Sequence, residues 1–189
     1  MRNDIGTTVG DSPRPAEPLV RLLDELAAVI SGLTDAQYVQ KPVGVMPSSV
    51  GGHVRHWLDH VAALAASVEA GTLNYDHRQR GTPVETERSA ALAAITRLAA
   101  QLRHITAAHL DRPVEVEILL TADGSAQTFR STVGRELAYV VSHSVHHNAI
   151  IGAMVQTLGG PVPPRFGYAP STIAHATRGG PKAEPACAR

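Results

Sequence analysis

At 189 residues the chain has the length of one domain and is long enough to bury a substantial core. Lysine plus arginine and aspartate plus glutamate stand at 17 each, so no whole-chain field draws the protein to nucleic acid or to an anionic membrane, and a small-molecule partner is expected. The single cysteine, Cys187, excludes an intramolecular disulfide and a cysteine-rich metal site. With no run of about eighteen apolar residues, this points to a cytoplasmic protein with no membrane span.

Aromatic residues make up only 4% of the chain while alanine and leucine are abundant, which favours close-packed helices over a strand sandwich. Residues 1–18 carry three prolines and no periodicity and read as a disordered tail. Leu19, Leu22, Leu23, Leu26 and Ile30 then recur at helical spacing, predicting a first helix that Gly32 can end. Residues 33–47 form a connection with room for one short turn. Ser48 and Ser49 offer caps to a second helix over residues 49–70, closed by Gly71. Residues 72–82 read as a polar connection, and Pro83 with Glu85 and Glu87 opens a long third helix running to His109. The alternation from Val114 to Leu120, the turn at Ala122-Asp-Gly-Ser and the segment Gln127-Thr-Phe-Arg predict a short β-hairpin. Ser131 and Thr132 cap the last long helix, with Glu136 placed to answer the cap, and that helix runs to Gly159-Gly160. A proline-rich extended stretch follows over residues 161–172. The expected layout is a domain over residues 19–173 and a disordered tail over 174–189.

Six of the ten histidines fall in two windows, Gly52-His-Val-Arg-His-Trp-Leu-Asp-His60 and Ser142-His-Ser-Val-His-His-Asn148. His143 and His147 stand one helical turn apart and project from the same face, the spacing that lets two imidazoles share an ion, while His146 points elsewhere. His53, His56 and His60 share a face of the second helix, and each can supply a third ligand. Neutral imidazoles with an open position suit zinc, nickel or ferrous iron. The linker Asn74-Tyr-Asp-His-Arg-Gln-Arg80 gathers a phenol, a carboxylate and two guanidinium groups. It reads either as an ordinary solvated loop or, through Tyr75 and Arg78, as a binding surface for an anionic substrate. No phosphate loop, no GxSxG elbow and no CxxC pair is present, and no side chain is placed for covalent catalysis.

The segment SSVGGHVRHWLDH, the later HSVHH and the FGYAPSTI that follows resemble the DinB/YfiT-like superfamily, and the similarity runs from about residue 19 to residue 173. The resemblance implies an antiparallel four-helix bundle, here all-α apart from the hairpin before the last helix. It also implies a divalent ion held by one histidine of helix two and an HxxxH pair of the last long helix. Relatives carry a hydroxyl residue seven positions before the first ligand, and Ser49 stands seven before His56, so the implied triad is His56, His143 and His147, with His53 the rival for the first place. The frequent HRGQ ending is replaced by His147-Asn-Ala-Ile150, so the carry-over stops at the ligands. By the same resemblance the protein is expected to be a metal-dependent transferase or hydrolase using a low-molecular-weight thiol, and a homodimer; a non-catalytic bundle stapled by its ion is the alternative.

Overall fold

The computed structural model describes residues 14–178, and the disorder expected of residues 1–13 and 179–189 lies outside them. The chain is mostly helical. Four long helices, α1 (Glu17–Ser31), α3 (Val50–Ala70), α5 (Arg88–Leu102) and α6 (Val133–Thr157), pack so that α3 lies on α6 and α5, and α1 on α5 and α6. Short helices α2 (Asp35–Val39), α4 (Pro83–Thr86) and α7 (Pro170–Thr177) fill the connections.

The all-α expectation needs correcting, because a three-stranded sheet is present. The expected hairpin is there as β2 (Pro113–Leu119) and β3 (Ala126–Thr132), with Val116 opposite Phe129. The sheet gains β1 (Thr72–Asn74), which pairs parallel to β2 with Leu73 opposite Val116. The polar connection after the second helix thus begins as a strand. Only Leu73 is buried in it, so no alternation announces it, and the pairing is supplied by β2.

The third helix is also divided. Glu87 takes an extended conformation between α4 and α5, and α5 stops at Leu102, with a separate 3₁₀ turn over Ala107–His109. The break lets α4 fold back onto α3. The Tyr38 hydroxyl donates to the Val84 carbonyl at 2.7 Å, and the Arg55 guanidinium donates to Glu85 at 2.8 Å. Gly51 makes this approach feasible, since a Cβ there would lie 2.1 Å from the Glu85 carbonyl oxygen.

Helix ends follow the sequence closely. Ser49 accepts from the Gly52 amide, Gly71 closes α3 in the left-handed region, and Thr132 accepts from the Arg135 amide. The first helix begins at Glu17, slightly before the expected start. At the other end, Phe166 is buried and Gly167 lies flush on α6, with α7 carrying helix through Thr177, past the expected domain end. Trp57, Tyr38, Leu23, Leu26, Leu64, Leu102, Ile151 and Met154 form the fully buried heart of the core. Among the described residues no helix is long and apolar enough to cross a membrane.

Candidate metal centre

The contact between α3 and α6 is pinned by the Trp57 indole N–H, which donates to the Ser144 hydroxyl, and Ser144 in turn donates to the Val140 carbonyl at 2.6 Å. Both side chains are completely buried, so this polar link fixes the register of the two helices where their histidines meet. His53, His56 and His60 come from α3, and His143 and His147 from α6.

The five rings form one connected group. His143 lies 4.1 Å from His60, 4.4 Å from His147 and 5.4 Å from His56, measured between ring centroids. His56 is 4.6 Å from His60 and 4.8 Å from His147, and His53 touches the group through His147 at 5.7 Å. One ligand atom each from His56, His60 and His143 falls within 4.8 Å of the others, a grouping that can hold a metal ion. His146, expected to point elsewhere, is exposed, although its ring centroid lies 5.5 Å from that of His147.

His60 is the histidine that the motif comparison passed over. His56-Trp-Leu-Asp-His60 is itself an HxxxH pair, the same signal that singled out His143 and His147. The His60 Nδ1 lies 3.0 Å from the His56 carbonyl, one turn back; its N–H donates there, which leaves Nε2 with a free lone pair. The expected triad is not dispersed by this, since His147 stands in contact with both His56 and His143.

The electrostatics keep these rings neutral. Burial, then the charges of His60, Arg78, His143 and Arg55, brings His56 down to about 3. Burial and then His60, His146 and Arg78 bring His143 to about 4, and burial with the neighbouring imidazoles brings His147 to about 2. His53 and His60 are also lowered, with burial the leading cause. Near neutral pH each ring is therefore uncharged, which is the form a metal requires. The buried nitrogens His53 Nε2, His143 Nε2 and His147 Nδ1 have no hydrogen-bond partner. Unsatisfied buried nitrogens are costly and call for an explanation, and a cation among them is a chemically consistent one. The donor set fits a divalent ion.

The linker residues turn out to be of two kinds. Asn74 accepts from the amides of Asp76 and His77, and Asp76 accepts from the Leu119 amide at 2.7 Å, so these two brace the loop. Tyr75 and Arg78 turn inward. The Tyr75 ring stacks on His60 at 4.9 Å, and its hydroxyl donates to Glu136 at 2.9 Å. Arg78 Nη1 donates to His56 Nδ1 at 2.7 Å.

Tyr139 and Arg135, beside the cluster, escaped the sequence reading, and Glu136 was read there only as a helix cap. Tyr139 lies 5.2 Å from Tyr75 and 5.7 Å from His143, and the Arg135 guanidinium lies 5.5 Å from its ring centre. Glu136 is 3% exposed and accepts from Tyr75, from the Ser131 hydroxyl at 2.6 Å and from Arg135 at 3.3 Å. Its cap-side partner is thus a side-chain hydroxyl rather than the expected backbone amide. Burial and the Glu136 charge raise the Tyr75 hydroxyl far above its ordinary value, so it stays protonated. Tyr75, Tyr139, Glu136, Arg135 and Phe129 line a cavity of about 310 Å³; no histidine lines it, but its Tyr75 and Tyr139 walls pack on His60 and His143. A larger cavity of about 960 Å³, between α1, α6 and the segment after α6, contains no histidine and offers mainly apolar walls.

A model of the DinB superfamily matches residues 19–151, which include all five clustered histidines. The chain belongs to the DinB superfamily. Its fold is similar to the crystal structure of a DinB-like protein, YjoA, from Bacillus subtilis, with a TM-score of 0.60 over 82% of this chain and 99% of that one. At 17% identity this likeness is one of fold alone. A protein of Rhizopus delemar named FK506-binding protein 5 is 38% identical over 113 residues, 59% of this DinB chain. The chain spans only 29% of that protein, whose name describes the whole of it.

Proposed function

We propose that this chain is a metal-dependent enzyme, a thiol S-transferase or hydrolase built on an antiparallel four-helix bundle. Its divalent ion, zinc, nickel or iron, is held between α3 and α6. His56 and His143 belong to both candidate ligand sets, with His147 completing the set the family pattern implies and His60 the set with the closest ligand atoms. The observation that carries the reading is the convergence of neutral, buried imidazoles from two helices, three of them with a nitrogen that has no partner. An ion bound there would supply Lewis-acid activation, lowering the pKa of a thiol or water so that a nucleophile exists near neutral pH.

The chain's own groups then do the rest. The Tyr75 ring packs on His60 and walls the cluster, while its hydroxyl is committed to Glu136. Arg78 carries donors that suit an anionic group on the substrate. The small aromatic-lined cavity beside Tyr139 has room for a low-molecular-weight thiol compound or its acceptor. A homodimer in the cytoplasm completes the proposal.

Elemental analysis of protein purified without chelators, joined to a thiol-transfer screen, tests it. One ion per chain is expected, lost in His56→Ala and His143→Ala, with turnover that chelation abolishes. Comparing His60→Ala with His147→Ala identifies the third ligand. Metal content unchanged in the His56 and His143 variants would end the proposal. A second reading, a metal that only staples α3 to α6, is favoured by the ligands' origin on two helices. It predicts that chelation lowers the melting temperature while no turnover is found in any screen.

A further inference from the structure

We propose that the centre binds its ion together with a small carboxylate, and that Arg78 is the residue that couples the two. This rests on the metal reading above and names the anionic group that its substrate must carry. A guanidinium has five N–H donors, no acceptor, and a charge that it keeps throughout the accessible pH range. At 2.7 Å from Arg78 Nη1, His56 Nδ1 must therefore be the acceptor, and the proton of the neutral His56 ring sits on Nε2.

In that state neither nitrogen of His56 is free to ligate. Nδ1 is taken by the guanidinium and Nε2 carries the proton. Ligation through Nδ1 displaces Arg78 directly. Ligation through Nε2 sends the ring proton to Nδ1, where an N–H would face the N–H of the guanidinium. Either way the bond between Arg78 and His56 breaks when His56 serves as a ligand.

Among the described residues no carboxylate pairs with the Arg78 guanidinium. Its Nε is already buried without a partner. The carboxylates around the cluster accept from other groups: Asp59 and Glu85 from Arg55, Asp76 from the Leu119 amide, and Glu136 from Tyr75, Ser131 and Arg135. A divalent ion among neutral imidazoles beside an unpaired guanidinium would place two cations in a half-buried site whose carboxylates, Asp59 and Asp76 acting on His60, already accept from Arg55 and the Leu119 amide. A carboxylate settles both difficulties, because its two oxygens match the guanidinium fork and its charge offsets that of the ion. Ion and carboxylate then strengthen one another, each tightening the other by the same factor.

Zinc affinity of the full chain, measured by competition with a colorimetric chelator, tests the coupling. Ionic strength is held constant with perchlorate, and acetate is the probe. The wild-type protein should bind zinc about ten-fold more tightly with acetate than without it. Arg78→Gln removes the charge and offers an amide that suits either His56 tautomer. It should bind zinc about ten-fold more tightly than wild type without acetate, and should ignore acetate. Arg78→Ala should behave likewise, and a circular-dichroism melt confirms that each variant is folded. An acetate response absent from the wild type, or retained in the Arg78 variants, overturns the inference while zinc binding itself leaves the metal reading standing. Failure of the wild type to bind zinc at all overturns both.

Discussion

The seam between α1 and α5 and the seam between α3 and α6 lie in one core and are built on opposite principles. The first buries only leucine, isoleucine, valine and alanine, among them Leu19, Leu23, Leu26, Ala91, Ile95 and Leu102. The second buries His60, His147, Ser144, Asn148 and Glu136 among its aliphatic residues. Apolar burial stabilises a fold without regard to direction, whereas each buried polar group costs free energy unless a partner satisfies it. The α3–α6 seam satisfies some of its groups, through Trp57 with Ser144 and Tyr75 with Glu136, and leaves the histidine nitrogens open. One seam holds the domain together and the other holds groups ready for a ligand.

The sharpest way to break this comparison is to truncate one side chain in each seam. Leu23→Ala opens a cavity at a fully buried position and should lower the unfolding free energy by about 2–5 kcal/mol, with metal stoichiometry in the folded fraction unchanged. His143→Ala should reverse the pattern. Metal affinity should fall by at least about 100-fold, while stability of the metal-free protein should stay within about 1 kcal/mol, because an unsatisfied buried nitrogen leaves with the ring. Urea unfolding with and without chelator reads both. Comparable destabilisation of the metal-free protein by both substitutions would show that the histidines pack as ordinary core.

A second test uses pH on metal-free protein. The folded-state values of His56, His143 and His147, about 3, 4 and 2, lie below the value of about 6.5 for an unfolded histidine. Above that pH the rings are neutral in both states and contribute nothing. Below it the unfolded chain takes up protons that the folded chain refuses, so stability falls as the pH drops from 6.5 toward 4. The melting temperature should be lower at pH 5 than at pH 7.5. The triple substitution His56→Asn, His143→Asn, His147→Asn should flatten that slope, and an equally steep slope in the triple variant would assign the acid sensitivity to other groups.

The two seams also differ in how far the sequence revealed them. Leucine spacing announced α1, and the hydroxyl caps Ser49 and Thr132 marked the starts of α3 and α6, because these are local features of the chain. The histidine clusters were legible for the same reason: helical spacing alone places His143 beside His147 and His56 beside His60. What the spacing could not supply is anything that depends on meeting another segment. Strand β1 exists because β2 accepts it, and α4 separates from α5 because Glu85 and Val84 find partners on α3 and α2. Glu136 read as a helix cap, and only the approach of the linker makes it the acceptor for Tyr75. Arg78 and Tyr75 stood out by chemical type, yet a loop does not disclose which of its side chains turn inward.

The smallest expected effect separates the two parts of Tyr75. Its ring stacks on His60, while its hydroxyl faces away and donates to the buried Glu136 carboxylate. Tyr75→Phe removes the donor and keeps the ring. Glu136 retains Ser131 and Arg135, so the loss should be about 1.5 kcal/mol of stability, the lower range for a hydrogen bond to a charged group. Zinc affinity should not change, because the surface that orients His60 is the ring. Tyr75→Ala removes ring and hydroxyl together and should weaken zinc binding as well. A Tyr75→Phe protein of full stability and poor zinc affinity would reverse the assignment. The hydroxyl would then belong to the centre, and the bond to Glu136 would be incidental to holding the linker against α6.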